Sequence, residues 1–116
     1  MNQPIPEVNK EDVERIVRRD YPEEKYNEIF EMLNEYGIED WERETIRVHL
    51  AILKLSNKDF YEIHKCVDIA KKDYRDVLLW AEYPLCGKQK FWNLNGKEKQ
   101  EIYKKDWKQY QEWLTK

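Results

Sequence analysis

Hydrophobic residues recur most regularly, at the spacing of an α-helix, between residues 47 and 84. The segment from about residue 41 to residue 55 is apolar around most of its circumference and keeps only a polar wedge with Arg43, Arg47 and Lys54. A helix that is apolar on nearly all sides is surrounded by other helices, so this segment is predicted to be the centre of the fold. In the next segment the apolar side chains recur every three or four positions on one narrow helical face. They are Phe60, Ile63, Val67, Ala70, Tyr74, Val77 and Ala81.

Capping and helix-stopping residues divide the rest of the chain. Five helices are predicted, and they begin near Asn9, Asp20, Asp40, Asp59 and Asn95. The second ends at Gly37, the third near Ser56, and the fourth near Glu82, shortly before Pro84. The Asn57–Lys58 turn predicts that the third and fourth helices form an antiparallel hairpin. We therefore predict an all-α fold, a single-domain bundle of four to five helices over residues 1–116 with a central antiparallel helix hairpin and an irregular segment at 85–95.

Composition supports a helical domain with solvated outer faces. The chain has 116 residues, of which 39% are charged, with only 3 Gly and 4 Pro. No apolar run approaches the roughly 18–20 residues of a membrane span, and the first residues lack the pattern of a secretory signal. The two cysteines, Cys66 and Cys86, are too few for a disulfide framework. We expect a cytoplasmic protein with reduced thiols and no membrane association.

Charge is distributed unevenly along the chain. Residues 1–45 contain 14 acidic and 6 basic residues, whereas residues 88–116 contain 4 and 8. The acidic first part and the basic last part could pack against each other or attract different partners. The favoured interpretation is that they are solvated helix faces of unequal sign, and the acidic balance argues against nucleic acid as a partner.

Three phrases of the sequence resemble a family of small uncharacterised bacterial helical proteins. They are RVHLAILKLS, starting at Arg47, AKKDYRDVLLWAEYP, starting at Ala70, and DWKQYQEWL, starting at Asp106. The family patterns are RVxLAxLKL, DYRDVLxxAEYP and DWxQYxxWL, and the likeness covers roughly Val13 to Leu114. The resemblance implies a bacterial protein, and it implies no activity, substrate or binding residue.

The inventory of reactive residues argues against an enzyme without deciding the question. Ser56 is the one serine, and the glycines Gly37, Gly87 and Gly96 are isolated, so neither a nucleophile elbow nor a phosphate-binding loop is present. Cys66 is interpreted as a packed thiol. The sequence therefore predicts no metal site and no cofactor, and it favours binding over catalysis.

Polar residues on predicted apolar faces are the main anomalies. His49 is interpreted as a core histidine that bonds to a tyrosine or a carboxylate. Asp73 and Asp106 project among apolar side chains, where a carboxylate needs a partner. The nearest suitable cations are Arg43, Arg47 and Arg75. The favoured interpretation is buried ion pairs, and the alternative is a small-molecule or enzymatic cleft that is built from Arg47, Asp73, Arg75 and Asp106.

Aromatic residues make up 14% of the chain. Trp41, Trp107 and Trp113 have positions that favour core or near-core packing. Tyr61, Leu79, Trp80 and Tyr83 lie off the main stripe and are predicted to form a contact surface, because aromatic clusters dominate binding hot spots. The sequence thus favours a non-catalytic protein-interaction module, an adaptor, inhibitor or regulatory partner, that binds another protein or a second copy of itself.

One aromatic pair lies in the predicted irregular segment. Phe91 and Trp92 are flanked by Lys88 and Lys90. Three interpretations stay open for this loop. It could close one end of the bundle, contact a protein, or stack on single-stranded nucleic acid. The first is favoured.

Overall fold

The computed structural model describes residues 5–88 and 94–116, and all regular structure within these ranges is helical. The helices are α1 Lys10–Asp20, α2 Tyr26–Asn34, α3 Thr45–Ser56, α4 Phe60–Lys72, α5 Tyr74–Glu82, α6 Pro84–Lys88 and α7 Gly96–Thr115, with a 3₁₀ turn at Glu23–Lys25. The all-α, bundle-like prediction is confirmed. None of the helices in the described ranges combines the length and apolar character needed to cross a membrane.

Helix α3 lies at the centre of the packing, as its all-round apolar pattern predicts. Every residue from Val48 to Leu53 is buried, and α3 contacts α1, α4 and α5. Asn57 and Lys58 both have left-handed backbone conformations, which reverse the chain within two residues. Helices α3 and α4 therefore form the predicted hairpin, and the core lies around it.

Helix α3 begins at Thr45, five residues later than the predicted start at Asp40. The residues before it form a loop that bends at Gly37, with φ +109°, and at Glu44, with φ +55°. As a consequence, the prediction that Trp41 packs in or near the core is wrong, and its side chain is 66% exposed. The carboxylate that fixes this loop is described with the functional site.

The predicted fourth helix is divided at Asp73 into α4 and α5. Asp73 has an extended backbone, with φ −157° and ψ 102°, and its carboxylate accepts a hydrogen bond from the Arg75 amide. Aspartate is a preferred N-cap residue because its side chain satisfies an otherwise unpaired amide of the first helical turn. The cap was not predicted because the apolar residues keep their three- and four-residue spacing across the break between α4 and α5.

The predicted irregular segment 85–95 is partly helical. Residues up to Lys88 belong to helix α6. The Asp106 carboxylate stabilises the start of this helix by accepting hydrogen bonds from the amides of Leu85 and Cys86. The predicted aromatic loop, with Lys90, Phe91 and Trp92, lies outside the described residues.

We expect Gly37→Ala to destabilise the fold by about 1–3 kcal/mol, the usual cost of a strained backbone conformation. A Cβ atom at Gly37 would lie 2.8 Å from Thr45 Cγ2, in a conformation that L residues rarely adopt. Gly96→Ala is the matched control, because a Cβ there meets no atom within 4 Å. Urea denaturation of both variants measures the difference, and equal stabilities would contradict the role of Gly37.

Candidate functional site

The loop between α2 and α3 is held by one buried carboxylate. Glu42 Oε1 accepts hydrogen bonds from the amides of Gly37, Ile38 and Glu39 at 3.0, 3.0 and 3.2 Å. Its other oxygen lies 2.9 Å from Lys71 Nζ on α4. Successive amides that converge in this way form an anion-binding concavity, and here the chain supplies its own anion. The loop is thereby fixed both internally and to α4.

Electrostatics keep Glu42 ionised. Burial alone would raise the pKa of Glu42, but hydrogen bonds from Lys71 and from the three loop amides outweigh it and lower the pKa to about 2. The same ammonium group of Lys71 also donates to the carbonyl oxygen of Glu35, 2.7 Å away. A carboxylate that is charged at neutral pH and accepts from four donors makes this loop a defined structure and not a loose connection.

Two large apolar side chains project from this fixed loop into solvent. Ile38 and Trp41 are both mainly exposed, and Trp41 lies beside a shallow cleft of about 260 Å³. The other side of the cleft is the α4–α5 junction. We call this region the Trp41 surface and define it as Ile38, Trp41, Lys72, Tyr74 and Arg75.

The contact surface predicted from the sequence is only partly exposed. Tyr61 on α4 and Trp80 on α5 are exposed, and Leu79 is half-buried. Tyr83 is 8% exposed and donates a hydrogen bond to the Glu82 carboxylate, while burial raises the pKa of Tyr83 to about 12. Tyr83 therefore belongs to the interior. The break at Asp73 also separates Tyr61 from Leu79 and Trp80, which lie on a different helix.

Arg47 forms a buried, two-point ion pair. Its Nε and Nη2 atoms lie 3.1 and 2.5 Å from the two carboxylate oxygens of Glu82, a residue with 1% exposure. Nη1 reaches Glu44 at 3.2 Å. Burial would lower the pKa of Arg47, but Glu82 outweighs it and raises the pKa, so the guanidinium stays charged. Arg47 was predicted as a cation for a buried aspartate, Asp73 or Asp106, and its partner is Glu82 instead.

The four charged residues of the predicted cleft form three separate sets of contacts. Asp73 pairs with Arg75 at the start of α5, 3.0 Å apart, where the Arg75 side chain is exposed and the Asp73 side chain is partly exposed. Asp106 is fully buried and is held by the Leu85 and Cys86 amides at 2.9 and 3.2 Å, not by an arginine. Since Arg47 bonds to Glu82 and Glu44, the four residues do not converge on one ligand. Asp73 is therefore neither buried nor part of a closed core pair.

Both thiols lie in surroundings that keep them protonated. Burial and the neighbouring Asp106 carboxylate raise the pKa of Cys86 to about 12, and burial raises the pKa of Cys66. A thiol with a raised pKa is a poor nucleophile and a poor metal ligand. Among the described residues, no three His, Cys, Asp or Glu side chains are grouped as a metal site would need.

His49 is a core residue, as predicted, but its partner is a backbone group. Its Nε2 lies 3.1 Å from the carbonyl oxygen of Tyr36, and the Tyr36 hydroxyl in turn donates to the Arg43 carbonyl at 2.6 Å. The two rings meet edge to face. His49 therefore anchors the end of α2 to α3, next to the Trp41 loop.

Sequence reasoning missed Glu42, the residue on which the Trp41 surface depends. The local sequence could have indicated this role. Glu42 follows Gly37 by five residues, and if the chain bends at the glycine, the backbone amides between them need hydrogen-bond acceptors. The helical spacing of Trp41, Thr45 and Val48 masked it. Glu82 was likewise not identified as a partner of Arg47, since the two residues lie 35 positions apart in the chain.

Comparison of this chain with protein-family models, with curated proteins and with solved structures gave no match. The resemblance of the three sequence phrases to a bacterial family therefore stays a prediction.

We expect Glu42→Gln to destabilise the protein by about 2 kcal/mol at neutral pH, the scale of hydrogen bonds to a charged group. Because the folded pKa of Glu42 lies below its ordinary value of 4.5, its stabilisation is complete above about pH 4.5 and is lost as the pH falls towards 2. Urea denaturation between pH 2 and 7 should show this loss in the wild type and a smaller loss in the variant.

Glu39→Gln is the matched control, since it makes the same change on an exposed side chain of the same loop. A Glu42→Gln protein whose stability follows pH in the same way as the Glu39→Gln protein would contradict the anchor.

We expect Glu82→Leu to cost about 3 kcal/mol, the lower end of the range for removing one member of a buried ion pair, because it leaves the partly buried Arg47 charge with only the exposed Glu44 carboxylate. The double variant Arg47→Met, Glu82→Leu should lose much less than the sum of the two single changes. Chemical denaturation of the four proteins in a double-mutant cycle gives the coupling energy, and additive losses would show that the pair is not coupled.

Proposed function

We propose that this protein is a non-catalytic interaction module that binds another protein through the Trp41 surface. The observation that carries the proposal is a tryptophan with 66% exposure on a loop that a buried, charged carboxylate holds in place. Exposed tryptophan on a monomer is costly in solubility, and tryptophan is the residue most enriched at binding hot spots.

The rigidity of the loop supports this proposal. A binding surface loses conformational entropy when it becomes ordered on association, and a surface that is already ordered avoids this cost. Glu42 holds the backbone amides of residues 37–39 before Trp41, and the Tyr36 hydroxyl holds the carbonyl of Arg43 after it. Arg75 and Tyr74 lie across the cleft and supply two more residue types that are frequent in interfaces.

The chemistry of the interior also favours binding over catalysis. Arg47, Glu82 and Asp106 are satisfied by protein groups, and the Cys66 and Cys86 thiols have raised pKa values. These residues act as structural connections between helices. In the bacterial, cytoplasmic setting that the sequence favours, an adaptor, an inhibitor or a regulatory partner is the role we propose.

A second candidate surface is formed by the exposed members of the sequence prediction. Leu79 and Trp80 lie next to each other on α5, and Tyr61 is the most exposed aromatic residue in the described part of the chain. Tyr61 lies on a different helix, in the first turn of α4, where the Asp59 carboxylate accepts a hydrogen bond from its amide. Trp80 is 47% exposed and presents less surface than Trp41, which is 66% exposed. We therefore rank the Trp41 surface first and keep Trp80 as the comparison.

We expect the wild-type protein to capture a specific protein from a bacterial lysate, and we expect Trp41→Ala to reduce that capture at least tenfold, the effect of losing a hot spot. Trp80→Ala is the matched control and should capture normally. Quantitative mass spectrometry of the retained proteins, together with sedimentation of the purified chain to detect a second copy, measures the result.

Absence of any partner, including self-association, would contradict the proposed function. Loss of capture with Trp80→Ala but not with Trp41→Ala would keep the function and reject the Trp41 surface. Equal thermal stability of the two variants shows that neither result reflects unfolding.

A further inference from the structure

A second, separate feature is a groove of about 410 Å³ between α1, α2 and the first turns of α3. Its apolar wall is formed by Val13, Phe30, Leu33 and Ile46. Pockets for small molecules usually measure roughly 300–1,000 Å³, and an apolar cavity of about 150 Å³ holds one benzene ring. The groove therefore has room for a ligand of about two rings. It shares no residue with the Trp41 surface.

His49 lines this groove and is the polar group that gives it specificity. Its side chain is almost fully buried, and burial lowers its pKa more than the nearby carbonyls of Tyr36 and Leu33 raise it. The ring is thus neutral at pH 7. Because Nε2 donates its hydrogen to the Tyr36 carbonyl, Nδ1 carries the lone pair of the neutral tautomer. No residue in the described ranges donates a hydrogen bond to Nδ1.

The remaining polar residues of the groove set the charge of a suitable ligand. Lys10 and Glu14 on α1 bring one positive and one negative charge, and Asn34 at the end of α2 adds an uncharged amide, so the groove has no net preference for a charged molecule. Thr45 adds a hydroxyl group for which the structure shows no hydrogen-bond partner within the described residues. An apolar wall with an unpaired acceptor nitrogen, Nδ1 of His49, fits an uncharged ligand that carries a hydrogen-bond donor.

We propose that this groove binds a neutral small molecule with an aromatic or branched apolar body and one O–H or N–H group, which donates a hydrogen bond to Nδ1 of His49. The apolar body packs between Phe30 and Ile46. This is a ligand site in addition to the protein-binding function, and neither depends on the other.

The first test uses 2-naphthol, which is neutral at pH 7, and 2-methoxynaphthalene, which has the same ring system but no donor. Titration of the ¹⁵N-labelled wild-type protein followed by NMR should give saturable shifts at the groove residues, with a dissociation constant of about 0.1–1 mM for a ligand of this size. The methoxy compound should bind about fivefold more weakly, the effect of one net hydrogen bond.

Variants of His49 test the role of the ring nitrogen. His49→Gln keeps an N–H for the Tyr36 carbonyl but removes the acceptor at the Nδ1 position, so 2-naphthol should bind about fivefold more weakly and 2-methoxynaphthalene should be unaffected. His49→Asn places its amide oxygen near the Nδ1 position and should keep the preference for 2-naphthol. Urea denaturation checks that both variants fold.

Two further variants test the location. Ile46→Trp fills the groove and should abolish binding of both compounds, whereas Trp41→Ala should change neither affinity. The proposal is overturned if the wild type shows no saturable shifts, if it binds both compounds equally, or if Trp41→Ala removes binding and Ile46→Trp does not. The wild-type comparison and Ile46→Trp decide the question even if a His49 variant fails to fold.

Discussion

The burial of α3 from Val48 to Leu53 is the constraint on which the rest of the structure depends. A polar group on the buried faces of such a helix needs a protein partner, because little water reaches it. Arg47 is satisfied by Glu82 on α5, His49 by the carbonyl of Tyr36 after α2, and Ser56 by the carbonyl of Ile52. Each of the first two bonds also fixes a neighbouring element against α3. The polar residues of the central helix thereby determine how the outer helices are placed.

Two buried carboxylates use a different device, since each binds backbone amides of an otherwise irregular segment. Glu42 collects three amides of the α2–α3 loop, and Asp106 on α7 holds the first amides of α6. Charged acceptors make stronger hydrogen bonds than neutral ones, so a single residue can hold a short segment that has little apolar area of its own. Glu42 thereby fixes the loop that carries Trp41. Asp106 thereby fixes the segment that connects α5 to α7.

The proposed protein surface and the proposed ligand groove both lie next to the start of α3 and the loop that precedes it. Thr45 lines the groove and also lies close to Gly37, where the Trp41 loop begins. His49 at the groove holds the Tyr36 carbonyl, and Tyr36 holds the far end of the loop through Arg43. The same packing that leaves a cleft between α1, α2 and α3 therefore also sets the position of the exposed tryptophan. Both features are consequences of a helix that starts at Thr45 and not at Asp40.

The sequence by itself determined the helical class, the central position of α3, the hairpin with α4, and the caps at Asn9, Asp59 and Asn95. These follow from spacing and from contacts within a few residues, which a linear pattern records. Only the tertiary structure decided that Glu82 pairs with Arg47, that Asp106 binds amides 20 and 21 residues before it, and that Trp41 faces solvent. A helical period cannot show which distant group a buried charge will reach. A helical period also cannot show that the Glu42 carboxylate will accept hydrogen bonds from the loop amides, so that the loop replaces a helical turn. The partner of a buried charge and the end of a helix both depend on where the packed helices bring distant parts of the chain together.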